Sequence, residues 1–103
     1  MLDTISAKEL DWYAEYAEDG GVLLVDLRPR EEYLAGHVRG AVNVPQGRFG
    51  RIWPDRNQTV VLYCDRGALS MAVARDLAAR GCRVKSVVGG YSAYRGSKIV
   101  TGE

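Results

Sequence analysis

A cysteine stands where one strand should end and one helix should begin. Cys64 follows Thr59–Tyr63, a run of strand-forming residues, and precedes a helical pattern that we expect over 70–80. The segment between them must curl, and Gly67 permits a positive φ within that curl. Amides that point into such a curl form an anion-binding nest, and the following helix adds the positive end of its dipole. Both effects favour the thiolate, so the spacing predicts that Cys64 is a nucleophile.

The anion-binding residues predicted on this basis directly follow the cysteine: Asp65, Arg66, Gly67, Ala68, Leu69 and Ser70. Arg66 adds positive charge if its side chain folds over the loop, whereas Asp65 would oppose a bound anion and is expected to face solvent. The alternative is that Cys64 is a small core residue without reactivity, as many buried cysteines are. Cys82 falls in a helix-to-strand turn without a nest, so we expect it to be structural.

Composition narrows the partners and the location. The 103 residues suffice for one domain, and 1–103 is expected to be that domain, with a core over about 5–96 and a frayed tail over 97–103. With 14 basic and 13 acidic residues the net charge is +1, which argues against nucleic acid or an anionic membrane as a partner. The N-terminal segment lacks the apolar core of a signal peptide, and no apolar run approaches the ~20 residues of a membrane span. We therefore expect a cytoplasmic location.

The cysteine and histidine content argues against structural cross-links and metals. Two cysteines are too few for a disulfide scaffold, and no Cys/His cluster has the spacing of a zinc site. The sequence implies no metal and no organic cofactor. In a reducing compartment Cys64 is expected to be a free thiol.

Hydrophobic patterning predicts strands that alternate with helices. The predicted helices begin at the Ser6–Glu9 capping box, at Pro29, at Ser70 and at Tyr91, and the predicted strands cover 22–25, 41–44, 59–63 and 84–88. Segment 46–58 has no clear period and is expected to be a loop. This alternation indicates an α/β fold with a parallel sheet covered on both faces. Ligands of such sheets bind outside the carboxyl ends of the strands, where Asp26 and Cys64 are expected.

Three blocks of sequence resemble the single-domain rhodaneses, and together they extend over about 5–96. The matching segments are VDLR at 25–28, EY at 32–33, GHV at 36–38, GAVNVP at 40–45, YC at 63–64 with Gly67 and Ser70, Gly81, VVGG at 87–90 and Tyr94. They are similar to the family's VDVR…EY…GHIPGAINIP signature and to its YCxxGxRS loop. The resemblance implies a rhodanese-like α/β fold: a central parallel sheet of about five strands with helices on both faces.

The resemblance also implies a sulfurtransferase. Its cysteine, here Cys64, takes a sulfane sulfur from thiosulfate or a persulfide and holds it as a persulfide. It then passes the sulfur to cyanide, a thiol or a protein cysteine. This is covalent catalysis in two half-reactions, with the loop amides stabilising the persulfide anion. Two competing interpretations are a sulfur-relay module for a partner protein and a catalytically silent interaction domain.

One departure from the family loop bears on the donor. Leu69 stands where relatives commonly carry Arg, although the loop keeps a cation at Arg66. We expect a weaker grip on the thiosulfate dianion and therefore a persulfide, a polysulfide or a protein cysteine as the donor. Phosphatases that share this fold use a longer Cys-x5-Arg loop. Here the sixth residue after Cys64 is Ser70, which argues against phosphatase activity.

Other polar residues are expected to support the site. In the family, the residues that correspond to Asp26 and Arg28 are mainly structural, although Arg28 is also a candidate for binding anions at the rim. His37, the sole histidine, suggests a general base, but the family uses its Gly-His turn structurally. The remaining candidates for a wall of the pocket are Arg30, Arg48, Phe49, Arg51 and Trp53.

Overall fold

Five parallel strands form the central sheet of the chain, which a computed structural model describes over residues 2–45, 48, 50, 52, 54 and 57–103. The elements are β1 (Leu2–Ser6), α1 (Leu10–Glu18), β2 (Val22–Asp26), α2 (Arg30–Ala35), β3 (His37–Val38), β4 (Val42–Asn43), β5 (Thr59–Tyr63), α3 (Ala68–Ala79), β6 (Val84–Val88) and β7 (Ile99–Val100). The sheet has the order β1-β6-β5-β2-β4, and each neighbouring pair is parallel. The predicted α/β fold with a parallel sheet of about five strands is confirmed.

The two faces of the sheet carry separate hydrophobic clusters, because successive side chains of a strand point to opposite faces. Val61 and Tyr63 of β5 belong to the cluster on the α1 face. Val60 and Leu62 belong to the cluster on the α3 face. A strand that is buried on both faces has a continuous apolar run, which is why β2 and β5 were recognisable in the sequence. Helices cover both faces, as predicted.

The pairing of β2 with β5 determines which loops meet at the carboxyl edge of the sheet. Asp26 pairs with Tyr63 in the parallel register, so the residues that follow them, Leu27 and Cys64, emerge side by side. The Leu27 N–H extends the ladder by donating to the Tyr63 carbonyl oxygen at 2.9 Å. The edge at which ligands of such sheets bind therefore contains Cys64.

The sequence patterning missed the first strand. β1 lies at the edge of the sheet and is held by backbone pairing with β6, from Leu2 with Val84 to Ser6 with Val88. Within β1, Ile5 alone is fully buried, so the strand has neither an apolar run nor a clear alternation. The capping box is present at the end of β1, where the Ser6 N–H donates to a Glu9 carboxylate oxygen at 2.8 Å.

The expected frayed tail over 97–103 is wrong. β7 pairs antiparallel with β3, which places Ile99 opposite Val38 and Val100 opposite His37. The Gly102 N–H also donates to the Leu34 carbonyl oxygen at 2.9 Å. Backbone hydrogen bonds, rather than a patterned apolar face, hold this segment against β3 and α2.

Several predicted helix bounds shift, and part of one predicted loop cannot be compared. The capping box opens a 3-10 turn, Ala7–Glu9, and α1 follows it at Leu10. α3 begins at Ala68 rather than at Ser70, directly after Gly67, whose φ is +103°. The last predicted helix is a single 3-10 turn, Tyr91–Ala93. Within the predicted loop over 46–58, the residues outside the described part of the chain are Gln46, Gly47, Phe49, Arg51, Trp53, Asp55 and Arg56. No helix among the described residues is long and apolar enough to cross a membrane.

Candidate active site

Cys64 lies in the wall of a cavity at the carboxyl edge of the sheet. Its side chain packs with the α3-face cluster, and the residue is 6% exposed. The cavity has a volume of about 350 Å³, which is within the range of small-ligand sites. Its lining residues are Leu27, Arg28, Pro29, Glu32, Cys64, Asp65, Arg66, Ala68 and Leu69. The thiol is therefore sheltered by the core and faces a space that a small substrate can fill.

The loop after Cys64 directs a backbone donor at the sulfur. The Gly67 N–H donates to Cys64 Sγ over 3.0 Å. Gly67 has a φ of +103°, and a Cβ there would lie 3.1 Å from the Gly89 amide nitrogen. Only glycine fits this conformation and this close approach without strain. Because α3 starts at Ala68, its unpaired first-turn amides and its positive end lie beside the same sulfur.

The charged side chains of the loop, those of Asp65 and Arg66, are exposed to solvent. Asp65 faces solvent, as expected, and one of its carboxylate oxygens accepts a hydrogen bond from the Ser92 hydroxyl at 3.1 Å. Arg66 is 87% exposed and lies 3.7 Å from the other Asp65 oxygen. Most of the Arg66 side chain is therefore in solvent, and the neighbouring Asp65 carboxylate offsets its charge.

The turn after β6 holds the loop that follows Cys64 through two backbone hydrogen bonds. The Tyr91 N–H donates to the Cys64 carbonyl oxygen at 2.8 Å, and the Ser92 N–H donates to that of Asp65 at 3.0 Å. These two bonds fix the peptide planes on which the direction of the loop amides depends. Gly90 permits the contact, since a Cβ there would come within 2.7 Å of the Asp65 carbonyl oxygen.

Ser70 does not line the cavity. It is fully buried, and its hydroxyl donates to the Gly67 carbonyl oxygen at 3.0 Å. The Ser70 hydroxyl oxygen also lies 2.8 Å from the hydroxyl oxygen of Ser86 on β6, and Ser86 is buried too. The Ser70 hydroxyl therefore holds the Gly67 peptide, while the predicted contribution of Ser70 to anion binding stays a prediction.

Asp26 and Arg28 form a buried ion pair at the cavity, where Arg28 is one of the lining residues. The Arg28 guanidinium donates to both Asp26 carboxylate oxygens at 2.8–3.2 Å and to the Gly36 carbonyl oxygen at 2.6 Å. It also lies 3.9 Å from the centre of the Tyr91 ring. Burial acts to lower the pKa of Arg28, but the hydrogen bonds and charge of Asp26 outweigh it, so that pKa is raised. The pair joins the segment after β2 to Gly36 at the end of α2, and Asp26 offsets the charge that Arg28 brings to the cavity wall.

The structure gives His37 and Cys82 no place at the sulfur. The His37 ring stacks on Tyr33 at 3.7 Å, with its Nδ1 2.8 Å from the Tyr33 carbonyl oxygen, and it does not line the cavity. Cys82 precedes β6 and so lies near the amino ends of the strands, whereas Cys64 lies at their carboxyl ends. Val60 pairs with Val84 on the neighbouring strand. Cys64 lies four residues beyond Val60, and Cys82 lies two residues before Val84. At about 3.3 Å per residue, the two cysteines are ~20 Å apart along the strand direction. A disulfide needs Cα atoms within ~7 Å, which excludes direct pairing in this fold.

Comparison with known proteins identifies the family. Residues 9–97 match the sequence profile of the rhodanese-like domain. The chain belongs to the rhodanese-like domain family. It is 31% identical over 100 residues to a tRNA sulfurtransferase of Desulfurococcus amylolyticus, and the match covers 92% of this chain but only 20% of that protein. The chain thus spans about a fifth of that relative.

A second relative supports the same family, and a solved structure supports the fold. Thiosulfate sulfurtransferase 16, chloroplastic, of Arabidopsis thaliana is 30% identical over 92 residues, with coverage of 75% of this chain and 77% of that protein. The crystal structure of a rhodanese-like domain protein from Staphylococcus aureus superposes with a TM-score of 0.81 at 24% identity, over 98% of this chain and 99% of that one. The rhodanese fold is therefore shown along nearly the whole chain.

Sequence reasoning missed one wall of the rhodanese cavity. Leu27, Pro29 and Glu32 line it from the segment after β2 and from α2. In a parallel sheet, the segments that follow two neighbouring strands meet at the same end of the sheet. The sequence could therefore have predicted that the segment after β2 lies beside Cys64. Of the expected wall residues, Arg30 and Arg48 line a different cavity, while Phe49, Arg51 and Trp53 lie outside the described residues.

Proposed function

We propose that this rhodanese domain is a sulfurtransferase whose Cys64 carries a sulfane sulfur as a persulfide. The observation that carries the proposal is the Gly67 N–H that donates to Cys64 Sγ at 3.0 Å, in a loop that ends at the start of α3. A donor fixed on the sulfur stabilises the thiolate before attack and supports the persulfide anion that replaces it. The sulfurtransferase names of the relatives agree with this chemistry.

The reaction has two half-reactions with Cys64 as the nucleophile and then as the leaving group. The Cys64 thiolate attacks the outer sulfur of a persulfide R–S–SH, the S–S bond of the donor breaks, and R–S⁻ leaves with the electron pair. An acceptor thiolate then attacks the outer sulfur of Cys64–S–SH, which releases the acceptor persulfide and the Cys64 thiolate. With thiosulfate the leaving group is sulfite, and with cyanide the product is thiocyanate. The chain needs no metal or organic cofactor for these displacements.

The charges at the cavity favour an organic persulfide over thiosulfate as the donor. Arg28 is neutralised by Asp26, and Arg66 is exposed and adjacent to Asp65. Leu69 adds an apolar wall where a cation would grip a dianion. We therefore propose a persulfide donor, a thiol or protein-cysteine acceptor, and a reducing location such as the cytoplasm, with neither nucleic acid nor a membrane as partner.

Intact mass measurement tests the proposal. Reduced protein is incubated with thiosulfate and, separately, with glutathione persulfide, with Cys64→Ser and Cys82→Ser treated in parallel. We expect one added sulfur atom on the wild type and on Cys82→Ser and none on Cys64→Ser. No added sulfur from either donor would refute the proposal and favour a silent interaction domain.

A relay to a partner protein is the second candidate. The first relative is named a tRNA sulfurtransferase and is five times longer than the matched segment, so a domain of this type occurs there beside other parts. In a relay, Cys64 would load from a persulfide but return its sulfur slowly to small thiols. Rapid turnover with a small thiol acceptor would argue against the relay.

A further inference from the structure

One acidic side chain of the cavity has no part in the displacements described above. Glu32 belongs to the first turn of α2, and it lines the same cavity as Cys64. Its side chain is exposed, and no ion pair joins it to another residue in the described part of the chain. A carboxylate thus faces the space that a substrate must enter.

The other charges of the cavity wall are balanced in pairs. The Arg28 guanidinium lies 2.8 Å from Asp26, and the Arg66 guanidinium lies 3.7 Å from Asp65. Leu27, Pro29 and Leu69 contribute apolar surface. Glu32 therefore gives the described wall a net negative charge, which repels anionic substrates and attracts cationic ones.

We propose that Glu32 is a specificity-determining residue that binds the ammonium group of an aminothiol while the sulfur of that molecule reacts at Cys64. The inference rests on the proposed function and names the class of its small acceptor. The aminothiol thiolate attacks the outer sulfur of Cys64–S–SH, the S–S bond breaks with its electron pair on Cys64, and the aminothiol persulfide leaves. The apolar residues contact the carbon chain that joins ammonium and sulfur.

Three thiols of similar size but different charge test the selection: cysteamine, mercaptoethanol and mercaptopropionate. The rate of sulfur loss from persulfidated Cys64 is measured for each with wild type, Glu32→Gln and Glu31→Gln. Glu31 is exposed in the same turn of α2 but does not line the cavity, so its variant removes the same charge nearby. For each acceptor the rate with a variant is divided by the rate with the wild type, so that the intrinsic reactivity of the thiol cancels.

A partly exposed ion pair is worth up to about 1 kcal/mol, which corresponds to about 2- to 5-fold in rate. We expect Glu32→Gln to slow sulfur transfer to cysteamine by about this factor and to accelerate transfer to mercaptopropionate by a similar factor. The rate of transfer to mercaptoethanol should not change. The differences should shrink at high salt. Equal effects on all three acceptors, or the same pattern in Glu31→Gln, would overturn the proposal.

A second readout does not depend on sulfur transfer. In a Cys82→Ser background, Cys64 is modified by aminoethyl methanethiosulfonate and by its sulfonatoethyl analogue, and the ratio of the two rates reports the charge at the thiol. We expect the cationic reagent to be favoured and Glu32→Gln to reduce the ratio by about 2- to 5-fold or more. If Cys64 accepts no sulfur but the ratio depends on Glu32, the carrier role fails while the cation subsite stands. A ratio that Glu32→Gln does not change would refute the subsite.

Discussion

Gly90 lies against the Cys64 backbone so closely that a Cβ on Gly90 would clash with the Cys64 carbonyl oxygen. Gly90 has a φ of +60° and a ψ of −156°, a region that is open essentially to glycine alone. The next amide, that of Tyr91, donates to the same carbonyl oxygen at 2.8 Å. The sulfur loop is therefore positioned by a second loop from β6, and this contact leaves no room for a side chain.

Gly90→Ala should slow the loading of Cys64 and also destabilise the fold. Displacement of the loop amides should slow persulfide formation about 10- to 100-fold. The backbone strain should lower the free energy of unfolding by about 1–3 kcal/mol. Persulfide formation is measured by intact mass over time, and stability is measured by urea unfolding.

Gly81→Ala is the matched control. Gly81 also has a positive φ, +92°, but a Cβ there meets no atom within 4 Å. It should cost stability through its backbone conformation and leave the loading rate unchanged. Loading of Gly90→Ala at the rate of the wild type would show that the contact does not position the loop.

Leu69→Arg should raise kcat/KM for thiosulfate. Leu69 lines the cavity beside Cys64, and a guanidinium there would supply charge-assisted hydrogen bonds to the dianion. Such bonds contribute about 1.5–3 kcal/mol, so we expect a gain of at least about tenfold. Leu69→Met, which is neutral and similar in size, should give no gain. A folded Leu69→Arg protein with unchanged thiosulfate kinetics would contradict this explanation of donor preference.

Asp26→Ala should destabilise the protein strongly, because it leaves the buried Arg28 guanidinium without its counter-ion. Removal of one partner of a buried pair costs about 3–5 kcal/mol. Asp76→Ala breaks an exposed pair with Arg80 and should cost less than about 1 kcal/mol. Urea unfolding of both variants provides the comparison. Equal losses would mean that the buried pair does not brace the loops at the site.

Tyr94 should make the fold sensitive to alkaline pH. Burial, and then a hydrogen bond to Asp11, raise the pKa of Tyr94 to about 12. A phenol with a pKa of about 10 in the unfolded chain then stabilises the folded state fully below about pH 10, and this contribution is lost as the pH rises toward 12. The free energy of unfolding should therefore fall less steeply from pH ~9 to ~11 in Tyr94→Phe than in the wild type. If the free energy of unfolding falls equally with pH in both proteins, Tyr94 does not contribute to the alkaline sensitivity.

The features that the sequence predicted depend on local chemistry. β2 and β5 are continuous apolar runs, and the curl after Cys64 required Gly67. The features that it missed depend on tertiary contacts: β1 is an edge strand with one fully buried side chain, and β7 is held by backbone bonds to β3. The start of α3 shifted because Gly67, rather than a polar side chain, stands at the helix N-cap.

The side-chain directions at the site were less predictable than its position. Ser70 belongs to the motif of the loop, yet its hydroxyl points to Gly67 and Ser86 in the interior. Ser86 lies outside that loop motif, and its contact depends on how α3 packs on β6. Glu32 is brought to the cavity by the placement of α2 after β2. Periodicity assigns such residues to helices and strands but does not determine which cavity they face.

A single-turnover transfer tests the central claim most directly. Cys82→Ser protein is loaded with a persulfide donor and freed of excess donor. It is then mixed with a thiol acceptor while the intact mass is followed. The account predicts that one sulfur atom is gained per chain, at Cys64, and is lost at the rate at which the acceptor persulfide forms. Three results would contradict the account: no sulfur is gained, the Cys64→Ser variant gains as much sulfur, or the sulfur is retained with every acceptor tested.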